Sequence, residues 1–162
     1  RVSQRRESYW VIHAQEKGRM KSLKVIAEQC TGCDSCVLSC SFQHGDTFGM
    51  ELSRILVERQ EESAVFKPQV CVQCAERYCM RACSQEALSV HPVSGAIQVS
   101  EERCTGCRQC EQACPFGGIH FVEGKHTPYI CDLCGGDPEC VKACRKPQAL
   151  VFVEREGEEH GV

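Results

Sequence analysis

The chain of 162 residues reads as an α+β fold assembled from duplicated modules of short β-hairpins and short helices. Three observations predict it. Sixteen cysteines fall in four groups of four: Cys30, Cys33, Cys36, Cys40; Cys71, Cys74, Cys79, Cys83; Cys104, Cys107, Cys110, Cys114; and Cys131, Cys134, Cys140, Cys144. Short β-compatible runs flank the groups, and each group ends in a short helix-compatible run. The apolar fraction of 42% is inflated by the cysteines themselves and aromatics are only 6%, so the hydrocarbon core is thin and a metal-organised interior takes its place.

The spacing carries the chemistry. The first and third groups are C-x2-C-x2-C-x3-C, the run that holds [4Fe–4S] clusters in bacterial ferredoxins. Three thiolates two residues apart lie on one tight loop, whose backbone N–H groups can point inward at the sulfurs of a cubane. The fourth is expected at the start of a helix, facing away, where it ligates the other cluster of a two-cluster module. The second group widens its middle gap to four residues, 75–78, and the fourth to five, 135–139, without losing a ligand. Four groups imply four [4Fe–4S] clusters and a bacterial 2×[4Fe–4S] ferredoxin-like module doubled.

Taken in order, residues 1–22 form a basic, cysteine-free extension with an aromatic-aliphatic patch at 9–12, either a surface tail or an arm for self-assembly. The cluster domain covers 23–153, and 154–162 form an acidic, solvated tail. Residues 23–26 read as a strand leading into the first loop, and 37–38 begin a helix carrying Cys40. Residues 78–82, 110–113 and 140–143 are helix-compatible. Residues 87–90 and 96–99 flank the turn Pro92-Val93-Ser94-Gly95 as a hairpin, and 119–122, 129–130 and 150–153 are further short strands. Only Cys114 is followed by a proline, which would stop its helix; Ser41, Ser84 and Arg145 follow the other fourth cysteines.

Other chemistries fit less well. A structural zinc takes two C-x2-C pairs separated by a sizeable loop, and its geometry does not call for three evenly spaced thiolates. Disulfide frameworks belong to small secreted scaffolds, and no run here reads as a secretory h-region or a transmembrane helix. The Arg5-Arg6 pair lacks the apolar segment that export would need, so a cytoplasmic location is expected. Four oxidised clusters at about −2 each would take the formal charge from −3 to about −11, which disfavours nucleic acid. No nucleotide fingerprint follows a strand and no nucleophile–histidine pair is suggested, so no catalytic residue is assigned. His44 reads as a hydrogen-bonding surface residue, Arg108 and Lys142 as solvated charges, and Tyr78, Phe116 and Tyr129 as packing that keeps water from the clusters.

The four-group layout resembles the iron–sulfur electron-transfer subunits that accompany molybdenum and tungsten pterin enzymes. In that superfamily the first group pairs with the fourth and the second is inserted with the third. The resemblance thus implies four ligand sets: Cys30, Cys33, Cys36 with Cys144; Cys131, Cys134, Cys140 with Cys40; Cys71, Cys74, Cys79 with Cys114; and Cys104, Cys107, Cys110 with Cys83. The compact 131–140 run is most similar to the small subunits of tungsten aldehyde oxidoreductases and benzoyl-CoA reductase-type complexes. That likeness implies a large partner holding a tungsten or molybdenum pterin and a second, flavin- or NAD-linked subunit holding FAD. The expected function is a relay of single electrons between them, without catalysis in this chain. Alternatives are a subunit of a formate dehydrogenase, dimethyl-sulfoxide-reductase-type or hydrogenase complex, a freestanding polyferredoxin, or a mainly structural connector.

Overall fold

The computed structural model describes residues 19–60, 62–145 and 148–156. The Arg5-Arg6 pair, the patch at 9–12 and residues 157–162 lie outside them. Among the described residues, eight strands form four two-stranded antiparallel sheets, and every cysteine group sits between two strands that belong to different sheets.

The first strand, β1 (Arg19–Val25), pairs along its whole length with the last, β8 (Leu150–Glu156), with Arg19 opposite Glu156 and Val25 opposite Leu150. Both strands exceed the sequence expectation of 23–26 and 150–153. Glu154, expected in a solvated acidic tail, lies opposite Lys21 in the ladder, a placement that sets opposite charges across the pair.

The second sheet, β2 (Ile55–Gln60) with β3 (Val65–Val70), was not expected from sequence. The third, β4 (Leu88–Val90) with β5 (Ile97–Val99), is the hairpin around Pro92-Val93-Ser94-Gly95. The fourth is β6 (Ile119–His120) with β7 (Tyr129–Ile130). Thus β2–β3 and β6–β7 join the region of groups 1 and 4 to that of groups 2 and 3.

Each group carries one helix: α1 (Ser35–Gly45), α2 (Tyr78–Arg81), α3 (Gln109–Gln112) and α4 (Glu139–Ala143). The third cysteine, not the fourth, lies in the first turn. Cys83, Cys114 and Cys144 follow the ends of α2, α3 and α4, whereas Cys40 lies inside α1. The four-residue step from the third cysteine to the fourth covers about 6 Å of axial rise, so the fourth thiolate emerges just over one turn along, near the opposite end of a short helix. The helices end there with or without a proline, except α1, which continues past Ser41.

The core is thin. Leu23, Val37, Ile55, Val70, Ile97, Ile119, Ile130, Leu133 and Leu150 are buried among cysteines rather than in a separate hydrocarbon layer. Among the described residues no helix is long and apolar enough to cross a membrane.

Candidate metal centre

The four cysteine loops repeat one backbone device. The residue before the second cysteine has a left-handed conformation in every group: Gly32 (φ +68°), Gln73 (φ +50°), Gly106 (φ +70°) and Leu133 (φ +60°). A second left-handed residue, Asp34, Arg77 or Arg108, immediately precedes α1, α2 or α3. Alternation of this kind turns successive N–H groups to one side and makes an anion-binding concavity of the type found at iron–sulfur sites. Glycine suits the position at Gly32 for a further reason, since a Cβ there would stand 2.6 Å from the Phe66 ring.

All sixteen cysteines are free thiols. Cys30, Cys33, Cys36 and Cys144 line one cavity, closed on its flanks by Val57, Pro68 and Leu150. Cys83, Cys104, Cys107 and Cys110 line a second, against Leu88 and Phe121. Near Cys71 lie Cys74, Cys79 and Cys114: burial pushes the Cys71 thiol up to about 12, and the like charge of these three adds to it. Cys140 is likewise pushed well above the ordinary thiol range by burial, then by Cys134, Cys40 and Cys36. Burial also raises Cys36 to about 12 and Cys110 and Cys134 to about 11 each. Sites so unfavourable for free thiolates suit thiolates whose charge a bound cation offsets. Cys33 is the contrary case, lowered by the backbone and side chain of Ser35.

Like-charge repulsion also runs from each sulfur neighbourhood to the next. The charge of Cys36 reaches Cys140, that of Cys71 reaches Cys131, and that of Cys79 reaches Cys110. Only Cys33, in the first neighbourhood of this series, and Cys107, in the last, are exposed.

Several donors approach the sulfurs. The Arg54 N–H donates to Cys40 Sγ at 3.3 Å, Ala87 N–H to Cys83 Sγ at 3.3 Å, and Leu133 N–H to Cys131 Sγ at 3.4 Å. Quartets of sulfur around a cavity, with N–H groups aimed at them, fit a thiolate-ligated iron–sulfur cluster.

Other expectations are corrected. His44 is not a surface residue but packs against the fourth loop, and burial pushes its pKa down. Tyr78 and Phe116 are 39% and 44% exposed and shield little, while Tyr129 packs at 5.7 Å from the His120 ring. Arg108 and Lys142 are exposed charges as expected: Arg108 is half exposed, beside Glu111 and over the Phe121 ring, and Lys142 bridges Asp137 and Glu139 at the surface. Gln73, which sequence reasoning passed over, is 1% exposed and central: its Nε2 donates to Cys131 O at 2.6 Å and its Oε1 accepts the Ile97 N–H at 3.0 Å. The available signal was a polar residue at the place where groups 1 and 3 have glycine.

A 4Fe-4S dicluster domain model matches residues 70–118, and a 4Fe-4S binding domain model matches residues 27–43. The chain is 39% identical over 122 residues to the polyferredoxin-like subunit of the aliphatic sulfonate oxidoreductase of Pyrococcus furiosus, covering 75% of this chain and 70% of that protein. It is 36% identical to hydrogenase-4 component A of Escherichia coli, over 80% of this chain and 81% of the relative. Two other relatives are far longer than the shared region, which spans 20% of one and 26% of the other. Among solved structures, a chain of the active-site complex BamBC of benzoyl coenzyme A reductase superposes with a TM-score of 0.53 at 26% identity, over 88% of this chain and 82% of that one. The repeated cysteine loops and these likenesses together show that the chain belongs to the ferredoxin-like iron–sulfur electron-transfer subunits of oxidoreductase complexes.

Proposed function

We propose that the chain holds four [4Fe–4S] clusters in a row and relays single electrons between a tungsten or molybdenum pterin catalytic subunit of aldehyde-oxidoreductase type and a second redox subunit, such as a flavin/NAD subunit. The ligand sets in this reading are Cys30, Cys33, Cys36, Cys144; then Cys131, Cys134, Cys140, Cys40; then Cys71, Cys74, Cys79, Cys114; then Cys104, Cys107, Cys110, Cys83. The two cavities, one lined by Cys30, Cys33, Cys36 and Cys144 and the other by Cys104, Cys107, Cys110 and Cys83, are the observation that carries it; like-charge repulsion of Cys36 on Cys140, Cys71 on Cys131 and Cys79 on Cys110 agrees with it. In this reading the sets follow one line, with the exposed Cys33 and Cys107 in its two end sets, where electrons would enter and leave.

When bound, each cluster supplies a site that accepts and releases one electron. The chain's own residues do the rest. The left-handed positions hold N–H groups toward the sulfurs, the buried apolar residues keep water from the two middle sets, and Gln73 fixes the second group against the fourth. Together these set positions and potentials. The likeness to the sulfonate oxidoreductase subunit and to the benzoyl coenzyme A reductase complex supports a large catalytic partner. The hydrogenase-4 relative favours a second reading, in which the wire serves a hydrogenase complex.

Anaerobic purification of the native complex with measurement of iron, tungsten, molybdenum, nickel and subunit masses tests both readings. About sixteen irons assignable to this chain and tungsten in a co-purifying large subunit are expected. Nickel in the partner would select the hydrogenase reading, and zinc in place of iron would overturn both.

A further inference from the structure

The helix carrying Cys40 is unlike the other three. It runs five residues past that cysteine to Gly45, whereas α2, α3 and α4 end before their fourth cysteines. The extra turn carries His44 onto the loop of another group. His44 Nε2 lies 3.9 Å from Cys134 Sγ and 3.5 Å from Asp132 Oδ1, with the side chain only 17% exposed. The chain then returns through Arg54, whose backbone N–H donates to Cys40 Sγ and whose guanidinium holds Asp132 Oδ2 at 2.5 Å. Asp132 Oδ1 in turn accepts the Cys134 N–H at 3.0 Å. Residues 40–54 therefore wrap the fourth loop and bring the Arg54 N–H to Cys40 Sγ and the His44 ring nitrogen to Cys134 Sγ, two sulfurs of one proposed ligand set.

Resting on those ligand sets, we infer that His44 is a positioning residue that donates from Nε2 to Cys134 and raises the reduction potential of the cluster held by Cys40, Cys131, Cys134 and Cys140. A hydrogen bond to a ligating sulfur draws charge from it and stabilises the more negative, reduced form. The Asp132 carboxylate would act the other way, but its ion pair with Arg54 offsets that charge. The tuned step is the gain of one electron from the neighbouring centre, or from dithionite in a titration, with no bond made or broken. Set second in the line, this cluster becomes a resting point for an electron crossing from groups 1 and 4 to groups 2 and 3. The ligand atoms of His44, Asp132 and Cys134 also lie within 4.8 Å of one another, so a separate divalent cation held by this trio is the competing assignment.

The test uses full-length holo-protein, purified anaerobically, in wild-type, His44→Leu, His44→Gln and Cys134→Ser forms. Iron content is measured and each cluster followed by electron paramagnetic resonance through a dithionite titration. His44→Leu is expected to keep the wild-type iron and to lower one midpoint only, by about tenfold in its reduction equilibrium, which is ~59 mV for a one-electron couple. His44→Gln, which retains an N–H donor, recovers most of the shift. Unchanged midpoints at full iron, or a shift spread over all clusters, overturn the inference. So does stoichiometric zinc binding by wild-type holo-protein that His44→Leu abolishes. Should the leucine variant lose iron, His44→Met, which lacks a donor, is set against His44→Gln, and equal midpoints in the two again overturn it. Cys134→Ser separates the layers: signals identical to wild type would mean that the ligand sets themselves are wrong.

Discussion

Groups 1 and 4 are framed by the seven-pair ladder of β1 and β8 and by α1 of 11 residues. Between groups 2 and 3 the ladder of β4 and β5 has three pairs, and α2 and α3 have four residues each. The loops are alike in their left-handed positions, so the difference lies in the frame and not in the site. A four-residue helix is far below the length that nucleates by itself, and a three-pair hairpin is not stable alone. Around groups 2 and 3, order therefore depends on what the cysteines hold. Around groups 1 and 4 the backbone supplies part of its own.

Removing the metal should show this contrast most strongly. After anaerobic chelation of iron, amides of α2, α3, β4 and β5 are expected to exchange at unfolded rates, since site binding energy is folding energy in small metal-organised proteins. Amides of the β1–β8 ladder should keep protection of at least about tenfold. Hydrogen exchange read by mass spectrometry checks it, and equal loss in the two regions would break the comparison.

A second contrast lies between two glycines. A Cβ on Gly118 would stand 2.4 Å from the Cys71 backbone N and 2.5 Å from the Val70 carbonyl carbon, so only glycine lets β6 pass the start of the second loop. Gly95, at φ +69°, has nothing within 4 Å of its notional Cβ, so a side chain there would meet backbone strain alone. Gly118→Ala is expected to destabilise holo-protein by about 3 kcal/mol, through overpacking against backbone that cannot yield. Gly95→Ala should cost about 1 kcal/mol, the left-handed penalty of an L residue. Denaturant titration under anaerobic conditions measures both, and equal losses would show that the β3–β6 approach is not tight.

The cysteine runs made the loops legible, because ligand spacing is local and leaves little choice of geometry. The β4–β5 hairpin was legible through the turn residues Pro92 and Gly95. The β2–β3 hairpin was not: Pro68 stands inside β3, where a proline ordinarily argues against a strand, and it is tolerated because a two-stranded sheet leaves one edge of each strand unpaired. The lengths of β1 and β8 depend on pairing across about 130 residues, which no local pattern records. The burial of His44 is not legible locally, because it follows from α1 continuing past Ser41, whereas the fourth cysteine marks only where a helix could stop. The missing proline at 41 gave no hint, since positions 84 and 145 lack one too and α2 and α4 still end.

Gln73 stands at the seam of the two regions, joining the second loop to Cys131 of the fourth and to Ile97 of β5. Gln73→Leu strands a buried carbonyl and a buried N–H, and a loss of about 2 kcal/mol is expected. The sharper readout is the shape of the thermal transition. If Gln73 couples the regions, the variant should melt in two steps, with amides of β4 and β5 released before those of β1 and β8. A single step at a lower temperature would make it an ordinary core residue.

The smallest effect is expected at the other seam, where His120 of β6 faces Tyr129 of β7. Its Nε2 is buried without a hydrogen-bond partner, and burial holds its pKa below the ordinary histidine value against the opposing pull of Ser53 and Glu111. The fold thus prefers the neutral ring, whereas the unfolded chain takes up the proton near pH 6.5. Between those two pKa values the unfolded state binds more protons, so stability is complete above about pH 6.5 and declines as pH falls toward the folded value. Between pH 7.5 and 5.5 the decline due to this residue should be less than about 1 kcal/mol. His120→Phe should flatten it while keeping the contact with Tyr129, and the difference between variant and wild-type unfolding curves isolates it from the other titrating groups. An unchanged slope would mean that the seam opens enough at low pH to hydrate the ring, making β6–β7 the weaker of the two links between the regions.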